Sequence, residues 1–136
     1  MKHITYIIGN VGRDAEMRFT PSGKAVTNFP VAVNEKYTTG DGEQVKKTIW
    51  FRVTAWGRAA ETCNQYVKKG MLVHVEGRLQ AGSDGNPRIW TDDSGSAHAN
   101  FELNASDVKF LSKSGDGQSV HEQAGPDISD GDDMPF

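Results

Sequence analysis

The segment Lys46-Lys47-Thr48-Ile49-Trp50-Phe51-Arg52-Val53-Thr54-Ala55-Trp56 decides how the chain is read. Successive side chains of a strand point to opposite faces. One set here is Ile49, Phe51, Val53 and Ala55, which reads as a core face. The other is Lys46, Thr48, Trp50, Arg52, Thr54 and Trp56, an open face with two indoles among cations. Trp carries a large apolar surface that proteins normally bury. Two of them beside Arg and Lys on an accessible face make a platform for flat rings attached to phosphates. The competing reading is that the rings pack under loops or against another subunit. Trp90 beside Arg88, and Tyr37 beside Lys36, repeat the aromatic–basic pairing elsewhere.

Outward from that strand, turn residues divide the chain into short extended segments. Ile4–Ile8 is β-branched and aromatic and stops at Gly9-Asn10. Glu16–Thr20 is closed by Pro21-Ser22-Gly23. Ala25–Glu35 places Thr27, Phe29, Val31 and Val33 on one side, and Pro30 inside it signals an edge or a bulge. Asp41-Gly42 marks a hairpin loop. Beyond Gly57, Ala60, Cys63 and Val67 share one face of a short helix over 59–69, with Lys68-Lys69-Gly70 as its C-terminal signal. Met71–Gln80 is expected to turn Val73, Val75 and Leu79 inward. After a polar loop over 81–87 and Arg88–Thr91, a strand over Ala97–Ala105 is expected to bury Ala99, Phe101 and Leu103 and to expose His98, Asn100 and Glu102. The expectation is an all-β fold: a five-stranded Greek-key barrel with one short helix between strands 3 and 4, the OB-fold arrangement.

The chain has 136 residues, enough for one domain with a tail. The net charge of −3 hides an asymmetry: residues 1–113 carry +3, and residues 114–136, without Lys or Arg, carry −6. We expect a nucleic-acid-binding domain over 1–111 and a disordered acidic tail over 112–136, rich in Ser, Gly and Asp. A single cysteine, Cys63, excludes an intramolecular disulfide framework and reads as a core residue. The four His, including His98, follow no metal-ligand spacing, and no nucleophile motif is present. The glycines at 9, 12, 40 and 42 read as turn glycines. The expectation is a protein that is not an enzyme, with no cofactor and no metal. The longest apolar run, Tyr6-Ile7-Ile8, is too short for a membrane span or a secretory signal, so a cytoplasmic location is expected. The terminus Asp132-Asp133-Met134-Pro135-Phe136 is a compact ligand for a basic, apolar pocket on a partner protein.

Taken in order, these segments resemble bacterial single-stranded DNA-binding proteins. Ile8-Gly9-Asn10-Val11-Gly12-Arg13-Asp14 is similar to that family's first strand and turn. Arg18–Val26, then Trp50-Phe51-Arg52-Val53 running to Trp56-Gly57-Arg58-Ala59-Ala60-Glu61, follow in family order. So do Tyr66–Gly70, Val75–Leu79 and Trp90–Gly95, and the acidic terminus resembles the family's partner-binding tip. The resemblance implies a homotetramer of OB-folds wrapped by single-stranded DNA. It implies stacking by Tyr37, Trp50, Trp56 and Trp90, and phosphate contacts by Arg52, Arg58, Lys68, Lys69 and Arg78, with Arg88 beside them. It implies that the tip recruits replication, recombination and repair proteins to nucleoid-associated DNA. The alternatives are an RNA-binding OB-fold and a protein-only adaptor. The chain departs from the family in having Tyr37 where Trp is common, Trp56 where Phe is common, Met134 for Ile or Leu, and a longer 81–87 loop.

Overall fold

A computed structural model describes residues 1–112. It contains β1 (Thr5–Val11), β2 (Glu16–Phe19), β3 (Ala25–Thr38), β4 (Gln44–Trp56), α1 (Arg58–Tyr66), β5 (Leu72–Leu79), β6 (Ile89–Thr91), β7 (Ala97–Ala99) and β8 (Phe101–Phe110). The main sheet has the order β1-β5-β8-β4-β3-β2, and an additional β1–β3 pairing closes it. The closed ring is therefore made of β1, β3, β4, β8 and β5, with β2 added beside β3. Every pairing in the ring is antiparallel except β4 with β8, where Phe51 pairs Phe101 and Val53 pairs Leu103. Helix α1 lies between the third and fourth ring strands. This is an OB-fold.

Alternation places the core. Val53 and Ala55 of β4 are fully buried, with Ile49 and Phe51 half-buried behind them, while Trp50, Arg52 and Trp56 are exposed. Ile7, Val11, Phe29, Val31, Val73, Val75 and Leu103 complete the interior. Helix α1 covers one part of it through Cys63, and Val67 just beyond the helix joins it. The buried Thr27 hydroxyl donates to the Ala60 carbonyl at 2.6 Å, which satisfies a polar group inside an apolar contact. Gly57, at φ 63°, allows β4 to turn directly into α1.

Pro30 lies within β3 where no ladder bond is lost. Its carbonyl accepts from the Gly12 N–H at 2.9 Å, so its ring nitrogen faces the same side. That side is a gap between the β2 pairing, which ends at Asn28, and the β1 pairing, which starts at Val31.

Several expectations are corrected. Gly9 does not end β1. It lies within the strand because a Cβ there would come 2.2 Å from the Ala32 carbonyl oxygen where β3 crosses. Gly12 does lie in the bend that follows β1, and it also marks a close approach, in this case to an indole. The helix stops at Tyr66 rather than Lys69, because Val67 turns to extended backbone and enters the core. Leu79, the last residue of β5, is exposed. The strand expected over Ala97–Ala105 is broken at Asn100 into β7 and β8. Its alternation does not carry across: Ala99 and Phe101 are exposed, and Glu102 is buried with Leu103.

Candidate nucleic-acid interface

Trp50, Arg52 and Trp56 project from the outer face of β4. The two indoles are six positions apart, roughly 20 Å of strand. Each ring has its own support. A Cβ on Gly12 would lie 2.6 Å from Cζ3 of Trp50, so the indole occupies the space that a side chain at 12 would take. The Trp56 Nε1–H donates to Asn104 Oδ1 at 3.4 Å, and Lys24 Nζ sits 5.5 Å from its ring centroid. Trp50 remains 52% exposed and Trp56 40% exposed, so both keep a face for a ligand.

Register adds cations to this face. Arg78 pairs opposite Asn104, the residue that holds Trp56. Lys46 pairs opposite Lys36, on the same side of the hairpin as Trp50. Like charges directly opposed across a ladder are unfavourable without an anion between them. Sequence reading placed Lys46 on this face but did not set Lys36 opposite it, although counting back from the Asp41-Gly42 turn would have aligned the two. Tyr37 is exposed but pairs opposite Val45, on the reverse face of the hairpin from Trp50. The structure therefore does not place Tyr37 beside the Trp50 and Trp56 rings.

Trp90 lies on a separate two-stranded ribbon, β6 paired with β7. The base of the ribbon is anchored by Arg88, whose Nε donates to Glu102 Oε2 at 2.9 Å and whose Nη2 donates to Oε1. Glu102 is only 7% exposed and pairs in register with Arg52. The ion pair thus fastens the ribbon to the β4–β8 seam beside the outer face. The Glu102 carboxylate raises the Arg88 guanidinium above its ordinary value, through the hydrogen bond first and charge second.

Arg58 opens α1, and Lys68 and Lys69 occupy the turn after it, all three exposed. The Lys69 N–H donates to Asp14 Oδ1 at 2.8 Å, which fixes that turn against the β1–β2 connection. Burial pushes the Cys63 thiol up to about 11, consistent with a core residue. Among the described residues no group of three or more His, Cys, Asp or Glu is placed to hold a metal, and no helix is long and apolar enough to cross a membrane. Asp132, Asp133, Met134, Pro135 and Phe136 lie outside the described residues.

A closed barrel with the ring order seen here, with exposed indoles and cations on one outer face, belongs to the class of OB-folds. Residues 3–111 match the Single-strand binding protein family, and the chain belongs to that family. It is 39% identical over 106 residues to Single-stranded DNA-binding protein 1 of Chlorobaculum tepidum, covering 77% of this chain and 62% of that protein. It is 36% identical over 129 residues to the Single-stranded DNA-binding protein of Wolinella succinogenes, covering 95% of this chain and 75% of that one. Among solved structures it is similar to a deletion mutant of the single-stranded DNA binding protein from Thermus aquaticus. That match has a TM-score of 0.62 and 28% identity, covering 79% of this chain and 49% of the other. The fold is shared with the Plasmodium falciparum SSB solved in complex with ssDNA. There the TM-score is 0.66 and the identity 24%, covering 82% of this chain and 96% of the other.

Proposed function

We propose that this chain binds single-stranded DNA without sequence preference and without catalysing a reaction on it. The observation that carries this reading is the outer face of β4: two half-exposed indoles with Arg52 between them and Arg78 nearby. Bases stack on the rings and cations neutralise phosphates, neither of which depends on base identity. Membership of the Single-strand binding protein family supports it. Arg58, Lys68 and Lys69 extend the phosphate path, and Trp90 adds a ring from the ribbon. Tyr37 adds a stacking surface from the other face of the hairpin, which suits a strand that wraps around the arm. Arg88 contributes chiefly by anchoring the ribbon through Glu102.

The proposed setting is a homotetramer acting in the cytoplasm on nucleoid-associated DNA during replication, recombination and repair. The Asp132–Phe136 tip recruits partner proteins that carry a basic, apolar pocket.

The test is binding of labelled oligo-dT to the full chain and to Trp50→Ala and Trp56→Ala. Each substitution is expected to weaken binding by about 1–3 kcal/mol while the fold persists by circular dichroism. Undiminished affinity in a folded double variant contradicts the platform. No binding of oligo-dT or oligo-U by the parent chain favours a protein-only adaptor, and preference for oligo-U favours an RNA-directed barrel. Deleting 127–136 is expected to abolish capture of partner proteins and to leave DNA binding equal or tighter. Loss of DNA binding on that deletion overturns the assignment of the tip.

A further inference from the structure

The ribbon contains an arrangement that the stacking reading does not use. Trp90 and His98 are direct cross-strand partners. Their rings are stacked at 4.6 Å between centroids with planes 26° apart. His98 is held from behind: its Nε2 lies 2.6 Å from Asp92 Oδ2. Asp92 is itself locked, because Oδ1 accepts from the Ser94 N–H at 2.9 Å, the Ser94 hydroxyl at 2.6 Å and the Ser96 N–H at 3.0 Å. An ionised carboxylate can only accept, so the hydrogen between the two groups is carried by the imidazole.

We propose that Asp92 and His98 are positioning residues for Trp90: the carboxylate fixes the imidazole, and the imidazole backs one face of the indole so that the other face alone receives a nucleobase. The inference rests on the single-stranded DNA reading and names a determinant of that site. Two rings that admit a third between them stand roughly 9 Å or more apart, centroid to centroid, twice the shortest ordinary separation of about 4.5 Å. At 4.6 Å the Trp90–His98 pair leaves no room for an inserted base. One indole face is therefore closed, and the ring is held in one orientation before DNA arrives. Ordering that would otherwise oppose binding is already present in the free protein. Neither Asp92 nor His98 needs to touch DNA for this to operate.

Two measurements on the full chain test it. In a chain with Trp50→Phe and Trp56→Phe, Trp90 is the sole indole. Without DNA, adding His98→Ala is expected to lower the fluorescence anisotropy of Trp90 and change its emission, and His98→Tyr, which keeps a flat ring, is expected to restore the anisotropy. Unchanged anisotropy and emission in His98→Ala would overturn the backing role. In the parent chain, His98→Ala and Asp92→Asn are each expected to weaken oligo-dT binding about three- to tenfold, a fraction of one stacked base. In a Trp90→Ala background the same substitutions are expected to have no further effect. An equal loss in that background means that His98 acts on DNA directly, which also overturns the proposal. Failure of the parent chain to bind oligo-dT would instead refute the single-stranded DNA reading, and the DNA-free fluorescence result would still report on the ring pair.

Discussion

Gly12 lacks a side chain where the Trp50 ring needs the space. A Cβ at 12 would meet that ring at 2.6 Å, whereas one at Gly77 would meet the Asn104 carbonyl oxygen at 2.1 Å. The two contacts differ in what can give way. The Trp50 indole is half exposed and can tilt outward, but Asn104 is held in the β8 backbone ladder. Gly12→Ala is therefore expected to cost less than about 1 kcal/mol in urea unfolding while shifting Trp50 fluorescence and weakening oligo-dT binding. Gly77→Ala is expected to lower stability by about 1–3 kcal/mol or more, because the strand must move. Similar unfolding losses for both would contradict this distinction. Sequence reading singled out Trp50, Trp56 and Trp90 through the residues beside them. It mistook Gly9 for a turn glycine and missed the second demand on Gly12, because the obstacle to a side chain at each comes from residues far along the chain, Ala32 and Trp50.

At the scale of elements, the β6–β7 ribbon depends on two charged side chains. The Ser94 hydroxyl first, then His98 and the Ser96 N–H, hold the Asp92 carboxyl down at about 2 from an ordinary 3.8. A carboxyl lowered in the folded state stabilises the turn above its unfolded value, and the effect disappears as pH falls through the folded one. The turn is thus expected to keep its order at neutral pH and down to about pH 4, and to loosen between about 4 and 2. The Ser94 and Ser96 amide resonances, whose N–H groups donate to Asp92, report this by NMR; loss of those hydrogen bonds already at pH 5 to 6 would contradict it. At the base of the ribbon, Arg88→Gln leaves Glu102 buried without its cation. It is expected to lower the melting temperature, with partial recovery on adding Glu102→Gln. A fully additive pair would mean that the two residues are not coupled. The ribbon was only partly legible in the sequence. The turn at 92–96 showed in its Asp, Ser and Gly, but no residue type marks Asn100 as the break between β7 and β8, and the burial of Glu102 follows from Arg88, 14 positions away.

At the scale of the whole molecule, the barrel was legible because its inner and outer faces alternate along β3 and β4, and because Gly57 and α1 interrupt the strands between the third and fourth ring members. Closure was less so. The β1–β3 contact rests on Asn10 with Ala32 and Val11 with Val31, and it depends on Gly9 letting β3 pass close by. The side of the hairpin taken by Tyr37 is likewise set by cross-strand register with Val45. In the proposed function the Trp rings are the surface on which bases stack. The most direct test is quenching of intrinsic tryptophan fluorescence by oligo-dT at low and high salt, with duplex DNA as control. Expected are strong quenching by oligo-dT, little by duplex, and log K falling by about 0.7 per phosphate contact for each tenfold rise in salt. If Arg52, Arg58, Lys68, Lys69 and Arg78 each make one contact, the slope is roughly −3.5. Absence of quenching at low salt would mean that the rings are structural, and would contradict the proposed function.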